Sequence, residues 1–321
     1  MNTEHRKSVP NHFPSRNRQG GMGLVEVLVA MALFIVMFNG LLEIFLESRS
    51  TFSATDSITR LQENGRTAVD LLSSGLRRSG YLGGNSDFQT IAGTSEPAAP
   101  VGTCVTDDDT WIRMVENGVF GLNDTRVGYD CIGSEYTGGD IITMRYASPW
   151  RVADGDMEDS RLYLRSSLYE GAMFLGSQKN NATNVIFDSM QSQHQLLAYT
   201  YYVADTGRTC GGAAVPGLFR EAPDANNQPV AEELVAGVES IQFQYNVAGQ
   251  YKDADDMALA DWPTVLGVKL WVLVRSECPE SDYTDDRTYI MGDIDDYAPN
   301  DNYRRYLYST VVAMRNIRGG I

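Results

Sequence analysis

The stretch that decides the fold is GGMGLVEVLVAMALFIVMFNGLLEIFL, residues 20–46. From Leu24 to Leu46 only Glu26, Asn39, Gly40 and Glu43 interrupt the apolar residues. At about 1.5 Å per residue a helix over this run is about 34 Å long, enough to cross the hydrocarbon core of a bilayer. The run is long for the apolar region of a cleaved secretory signal, no Ala-x-Ala-like site follows it, and the helical pattern continues beyond it. No cysteine lies near its end, which excludes a lipoprotein signal. Upstream, Arg6, Lys7, Arg16 and Arg18 against Glu4 give residues 1–21 a net charge of +3, while the whole chain carries −16. Positive charge on that side alone places the leader in the cytoplasm and the remainder outside. Glu26 is the oddity. A carboxylate at the centre of a membrane helix costs about 2.5–3.5 kcal/mol and less near the interface, yet an inward-facing acid still needs a partner.

Gly20-Gly21-Met22-Gly23-Leu24-Val25-Glu26, followed by Val27-Leu28-Val29-Ala30, resembles the processing signal of type IV prepilins. The resemblance implies cleavage after Gly21 by a prepilin peptidase and N-methylation of Met22 as the new first residue. It also makes Glu26 the fifth mature residue, where that family carries its glutamate. Met22 departs from the phenylalanine most common at the first position. A cut after Gly20 would make Glu26 sixth, so Gly21 is favoured. In that register the Glu26 carboxylate can neutralise the amine of Met22 on a neighbouring subunit. Such a buried pair specifies register more than it adds stability, because desolvation cancels much of the attraction.

Working outward, Ile58, Leu61, Ala68, Val69, Leu72 and Leu76 recur mostly three or four apart, the pattern of an amphipathic helix laid on a sheet. Arg60, Arg66, Arg77 and Arg78 fall on the rest of its surface, and Gly80 suits its C-terminal cap. Asn39-Gly40 has poor helix propensity and marks a place where the helix could loosen. The expected organisation is a leader over 1–21, an N-terminal helix over 22–80 with its membrane part at about 24–46, and a β-rich head over 81–321. In the head, Ile241, Phe243, Tyr245 and Val247 alternate with Gln242, Gln244 and Asn246, a half-buried strand. Val265–Val274 is nearly all apolar and reads as a central strand covered on both faces. Arg305–Met314, Ile141–Ala147, Arg161–Leu168, Asn184–Asp188 and Gln195–Val203 are further strands. Residues 84–100, 205–217, 223–229 and 292–303 read as loops. The fold class is α+β, with the long N-terminal helix packed on an antiparallel sheet.

The four cysteines, Cys104, Cys131, Cys210 and Cys278, have no CxxC or CxxH spacing, so a zinc site is unsupported. An even count behind a membrane segment suggests disulfides. Pairing nearest neighbours, Cys104–Cys131 and Cys210–Cys278, closes the smaller loops; two other pairings and reduced buried thiols are the alternatives.

Three C-terminal stretches extend the resemblance: Leu234–Tyr245, Val268–Ser276 and Tyr308–Asn316 are similar to the PilW group of minor pilins, which are related to pseudopilin J of type II secretion. The likeness covers the N-terminal helix and about residues 230–318, not the middle of the chain. It implies a low-abundance subunit that helps initiate pilus assembly and sits at or near the filament tip, supporting twitching motility and adhesion. The implied partners are other minor pilins, the major pilin, prepilin peptidase, the inner-membrane assembly platform and a tip adhesin. The implied location is a single pass in the inner membrane with the head in the periplasm, and then the filament. A type II secretion pseudopilin, or a signal-anchored binding protein that never polymerises, would share much of this pattern.

The remaining chemistry is sparse. His194 is the sole histidine after the leader, and a lone histidine is more often a surface or core residue than a catalytic one. No nucleophile elbow, phosphate loop or zinc-protease motif occurs, so neither an enzyme nor a cofactor is expected. The acidic balance argues against nucleic acid as a partner. Aspartates cluster at 107–109, at 253, 255 and 256, at 282, 285 and 286, and at Asp293, Asp295 and Asp296 with Asp301. Asp293-Ile294-Asp295-Asp296 is the best calcium candidate but lacks the glycine and terminal glutamate of an EF-hand loop. Solvated acidic loops are the plainer reading of all four.

Overall fold

The computed structural model describes residues 21, 23–95, 109–181, 186 and 190–317. Helix α1 runs unbroken from Leu24 to Arg78, through Asn39-Gly40, over 55 residues. The chain divides into two compact units, residues 1–53 and 54–321.

In the second unit, one face of α1 meets the head at Leu61, Gly65, Ala68, Leu72 and Leu76. The steps of three and four residues keep these on one stripe. Burying each leucine contributes about 1.5–3 kcal/mol. The two glycines on this side of the helix would be poor choices by propensity, but the packing explains them. A Cβ at Gly65 would lie 2.0 Å from the ring of Tyr308, and one at Gly75 would lie 2.6 Å from Met144 Sδ. The helix ends as expected. Gly80 turns at φ +74°, its N–H donates to the Arg145 carbonyl at 2.9 Å, and Asn316 Nδ2 donates to the carbonyl of Arg77 at 3.0 Å.

The larger sheet has eight strands: β1 Ile91–Ala92, β2 Val119–Leu122, β3 Ile141–Arg151, β4 Leu162–Ser166, β5 Gly171–Leu175, β6 Ser192–Cys210, β7 Ala213–Pro223 and β8 Pro229–Ala236. β6 organises it. Its first half pairs with β4 on one side and β3 on the other, and its second half pairs with β7 on the side that β4 vacates. The smaller sheet is antiparallel, ordered β10-β9-β11-β14, with β9 Val238–Val247, β10 Gln250–Lys252, β11 Gly267–Arg275 and β14 Arg305–Ala313. A hairpin of β12 Tyr289–Met291 and β13 Ile294–Tyr297 stands beside it. One apolar core joins α1 to both sheets, from Leu72 and Leu76 through Met144, Leu196 and Tyr201 to Phe243, Leu270 and Val312.

The α+β class and the continuous helix are as the sequence predicts, as is β11 at the centre of its sheet. Several readings need correction. Residues 205–217 are not a loop: β6 and β7 continue through them to a two-residue turn at Gly211-Gly212, both with positive φ, which matches the twist of a hairpin. Residues 292–303 contain β13, entered by a turn at Gly292. β9 is not half-exposed at Gln242, which is 1% exposed where Gly292 lies against it. The strand expected over 184–188 falls mostly outside the described residues; Ile186, which is described, is buried and not in a strand.

Candidate functional site

The N-terminal residues are built for two different environments. Gly21 is exposed and precedes the helix, and Met22 lies outside the described residues. The Gly23 carbonyl accepts from the N–H groups of Glu26 and Val27 at 2.9 and 3.2 Å. Glu26 therefore occupies the first turn, where the helix dipole favours a carboxylate. From Leu24 to Leu46 every residue is exposed, with Phe34 stacked on Phe38 at 5.9 Å. This segment is apolar and long enough to cross a membrane. An exposed apolar surface of this extent marks a membrane or a partner.

Where α1 enters the head, Ser57 Oγ donates to Glu280 at 2.9 Å, and Arg304 holds the same carboxylate at 2.9 Å. Ile58, Leu61, Tyr283, Arg287, Arg304 and Tyr306 line a cleft of about 190 Å³ beside this junction. Arg305 also borders the cleft, its side chain 1% exposed. Its guanidinium binds Asp301 through both ends at 2.6 and 2.7 Å, Glu239 at 2.9 Å, and the Tyr303 carbonyl at 3.2 Å. Burial works against the Arg305 charge, but these carboxylates raise its pKa well above the ordinary value. Asp285 is 0% exposed and accepts from Arg287 at 2.8 Å and from Tyr289 at 2.7 Å. Burial pushes its carboxyl up, yet those two donors hold it below the usual range. The sequence placed Asp285 among solvated acidic loops; the structure makes it the floor of an ionic cluster. Only an arginine opening a β-strand, with unmatched acids nearby, hinted at this.

Arg145 is buried differently. Among the described residues it has no carboxylate partner, and its guanidinium donates to the carbonyls of Trp111 and Asn117 at 2.6 and 3.1 Å. Burial lowers its pKa to about 10. Asp140, 1% exposed, accepts from the N–H groups of Phe243 at 2.7 Å and Asp124 at 3.2 Å. Burial still raises its pKa well above the ordinary value.

His194 is a core residue, 2% exposed, with Nδ1 2.7 Å from the Ser148 carbonyl and Nε2 2.8 Å from Ser192 Oγ. Cys210 and Cys278 form a disulfide across a sequence separation of 68. Cys131 is disulfide-bonded as well, and Cys104, its expected mate, lies outside the described residues. The calcium candidate does not assemble. Asp295 and Asp296 are successive residues of β13, whose side chains point to opposite faces. Asp293 accepts from Asn123 Nδ2 at 2.8 Å. Among the described residues no three His, Cys, Asp or Glu side chains converge as a metal would require.

Residues 200–316 match the family model of type IV pilus-assembly protein W, PilW. The match starts within β6, earlier than the likeness near residue 230 that the sequence suggests, and it spans the whole four-stranded sheet. No curated protein matches the chain. Among solved structures, a type IV-like pilin from Thermus thermophilus aligns over 80% of this chain and 98% of its own, at 13% identity and a TM-score of 0.38.

Proposed function

With residues 200–316 PilW-like, we propose that the chain is a minor pilin that helps initiate a type IV pilus and stays at or near its tip. The observation that carries this reading is the division of α1. Its first half exposes an apolar surface on all sides, while its second half buries a stripe in the head. A membrane span that can later become part of a helical filament core needs that division. Before assembly the span holds the protein in the inner membrane with its head in the periplasm, and the leader faces the cytoplasm. Prepilin peptidase cuts after Gly21, and Met22 becomes the methylated N-terminus. Glu26 then meets the amine of an adjacent subunit in the bundle of helices, where low dielectric makes an unpaired carboxylate costly. Other minor pilins, the major pilin, the assembly platform and a tip adhesin are the partners. The role is structural: the head offers surfaces, and adhesion and twitching depend on it through the filament.

The decisive experiment is mass analysis of the N-terminus of the purified protein from cells with and without prepilin peptidase. The expected product begins at Met22 with one added methyl group, and only when the peptidase is present. A chain that keeps residue 1 in both strains, while pili assemble normally, would overturn the reading.

A further inference from the structure

One cleft in the head holds a cation and an anion that have found no partner. It opens where the β6–β7 ladder meets the smaller sheet and its hairpin, and its volume is about 410 Å³. Its charged residues are Asp205 of β6, Glu239 of β9 and Arg275 of β11. Met291, Ile294 and Tyr297 of the β12–β13 hairpin give it an apolar wall.

The neighbouring charges show how a matched group is held. Arg287, Arg304 and Arg305 each grip a carboxylate, at 2.8, 2.9 and 2.6 Å. Glu239 is occupied in the same way: Arg305 Nη2 donates to it at 2.9 Å and the Tyr297 hydroxyl at 3.0 Å. Arg275 differs. Its guanidinium carbon lies 4.1 Å from the centre of the Tyr303 ring, a cation–π contact, and only Nη2 has a hydrogen-bond acceptor, the Ala214 carbonyl. Asp205 accepts from the Gly207 N–H at 2.8 Å through one oxygen and leaves the other open. Among the described residues no carboxylate pairs with Arg275 and no cation pairs with Asp205. The two also stand beyond ion-pair distance of each other, so one cleft presents both signs of charge uncancelled.

That pairing of signs narrows the occupant. A simple anion drawn to Arg275 would be repelled by Asp205, and a metal ion drawn to Asp205 would be repelled by Arg275. A molecule that carries both charges satisfies the two at once. The hairpin wall calls in addition for an apolar body, and the volume falls within the range of about 300–1,000 Å³ that small-ligand sites occupy. We infer that this cleft binds a small zwitterion with an apolar side chain, the chemistry shared by free apolar amino acids and short apolar peptides. The ligand carboxylate meets the Arg275 guanidinium, its ammonium meets the open oxygen of Asp205, and its side chain lies on Met291, Ile294 and Tyr297.

The test is calorimetric titration of the full chain in detergent with leucyl-leucine, its N-acetyl form, its C-terminal amide and free leucine. Leucyl-leucine should bind saturably at one site per chain. Blocking either end removes one charge-assisted contact and should weaken binding about tenfold. Asp205→Asn keeps an acceptor for the Gly207 N–H but loses the charge. It should weaken leucyl-leucine about tenfold and leave the N-acetyl form, which has no ammonium to lose, unaffected. Arg275→Gln should give the converse pattern with the amide. Leucine binding as tightly as the dipeptide supports the inference with an amino acid as ligand, and weaker leucine binding supports it with a peptide. Absence of saturable binding overturns it. So does a blocked form that binds as tightly as the free dipeptide, or an Asp205→Asn chain that weakens free and N-acetyl forms alike.

Discussion

The two halves of α1 share one backbone helix and almost nothing else. Between Leu24 and Leu46 every residue is exposed, and leucine, valine, phenylalanine and isoleucine cover the whole circumference. Between Leu61 and Ser79 the apolar residues narrow to a single stripe, Gly65 and Gly75 let the sheet come close, and arginines take the outer face. A uniformly apolar helix asks for a surrounding apolar solvent, whereas a striped one asks for a neighbour on one side. The difference teaches that the second half is part of the head's folding unit, while the first half has its partner elsewhere.

The largest effects should come from substitutions that break this division. Gly21→Leu is expected to abolish leader removal and filament incorporation together, read as retained leader mass and loss of the protein from sheared pili. Next is the ionic cluster behind the helix entry. Arg305→Met leaves Asp301, Glu239 and Asp285 without their shared cation, and removing one partner of a buried charge group costs about 3–5 kcal/mol. Denaturant unfolding should show that loss. Leu72→Ala should cost about 2–5 kcal/mol in the same assay, whereas Leu33→Ala, in the exposed half, should leave the head's stability unchanged. Equal effects of the two leucine substitutions would erase the distinction between the halves.

The smallest expected effect concerns pH. Burial lowers the pKa of the His194 imidazole, with hydrogen bonding to the Ser148 carbonyl opposing it. The folded value lies below the unfolded one, near 6.5, so the unfolded chain takes up the proton first. Stability from this group is complete above about pH 6.5 and declines as pH falls below it. His194→Gln should flatten the slope of stability between about pH 5 and 7.

Legibility in the sequence followed the physics of burial. The helix was readable because both of its patterns, continuous and striped, carry a helical signal. β11 was readable because VKLWVLV has few polar residues to mislead. The β6–β7 hairpin was not, since Asp205, Gly207, Gly211, Gly212 and Pro216 are turn formers by local preference. Long-range restraints hold the two strands extended here: the Cys210–Cys278 bond, and Thr206 Oγ1 donating to the Val215 carbonyl at 2.8 Å. Asp285 was hidden for a related reason. An aspartate beside Asp286 looks solvated until its donors are known, and they arrive from Arg287, Tyr289 and the distant Arg305. The residues proposed for processing and assembly stand apart. Gly21 and Glu26 could be proposed only from sequence spacing, because they lie outside the folding unit of the head.

The Cys210–Cys278 bond has a mechanical consequence. It ties the tip of the β6–β7 hairpin to the chain just beyond β11, so a strand of the larger sheet and the end of the smaller one are linked covalently. A chain under tension gains about 3.4 Å for each residue it unravels. The 68-residue separation between the two sulfurs therefore locks away about 230 Å of slack. Force entering the head on either side of that bond passes through the bond itself, and the whole β7–β11 segment is spared the load.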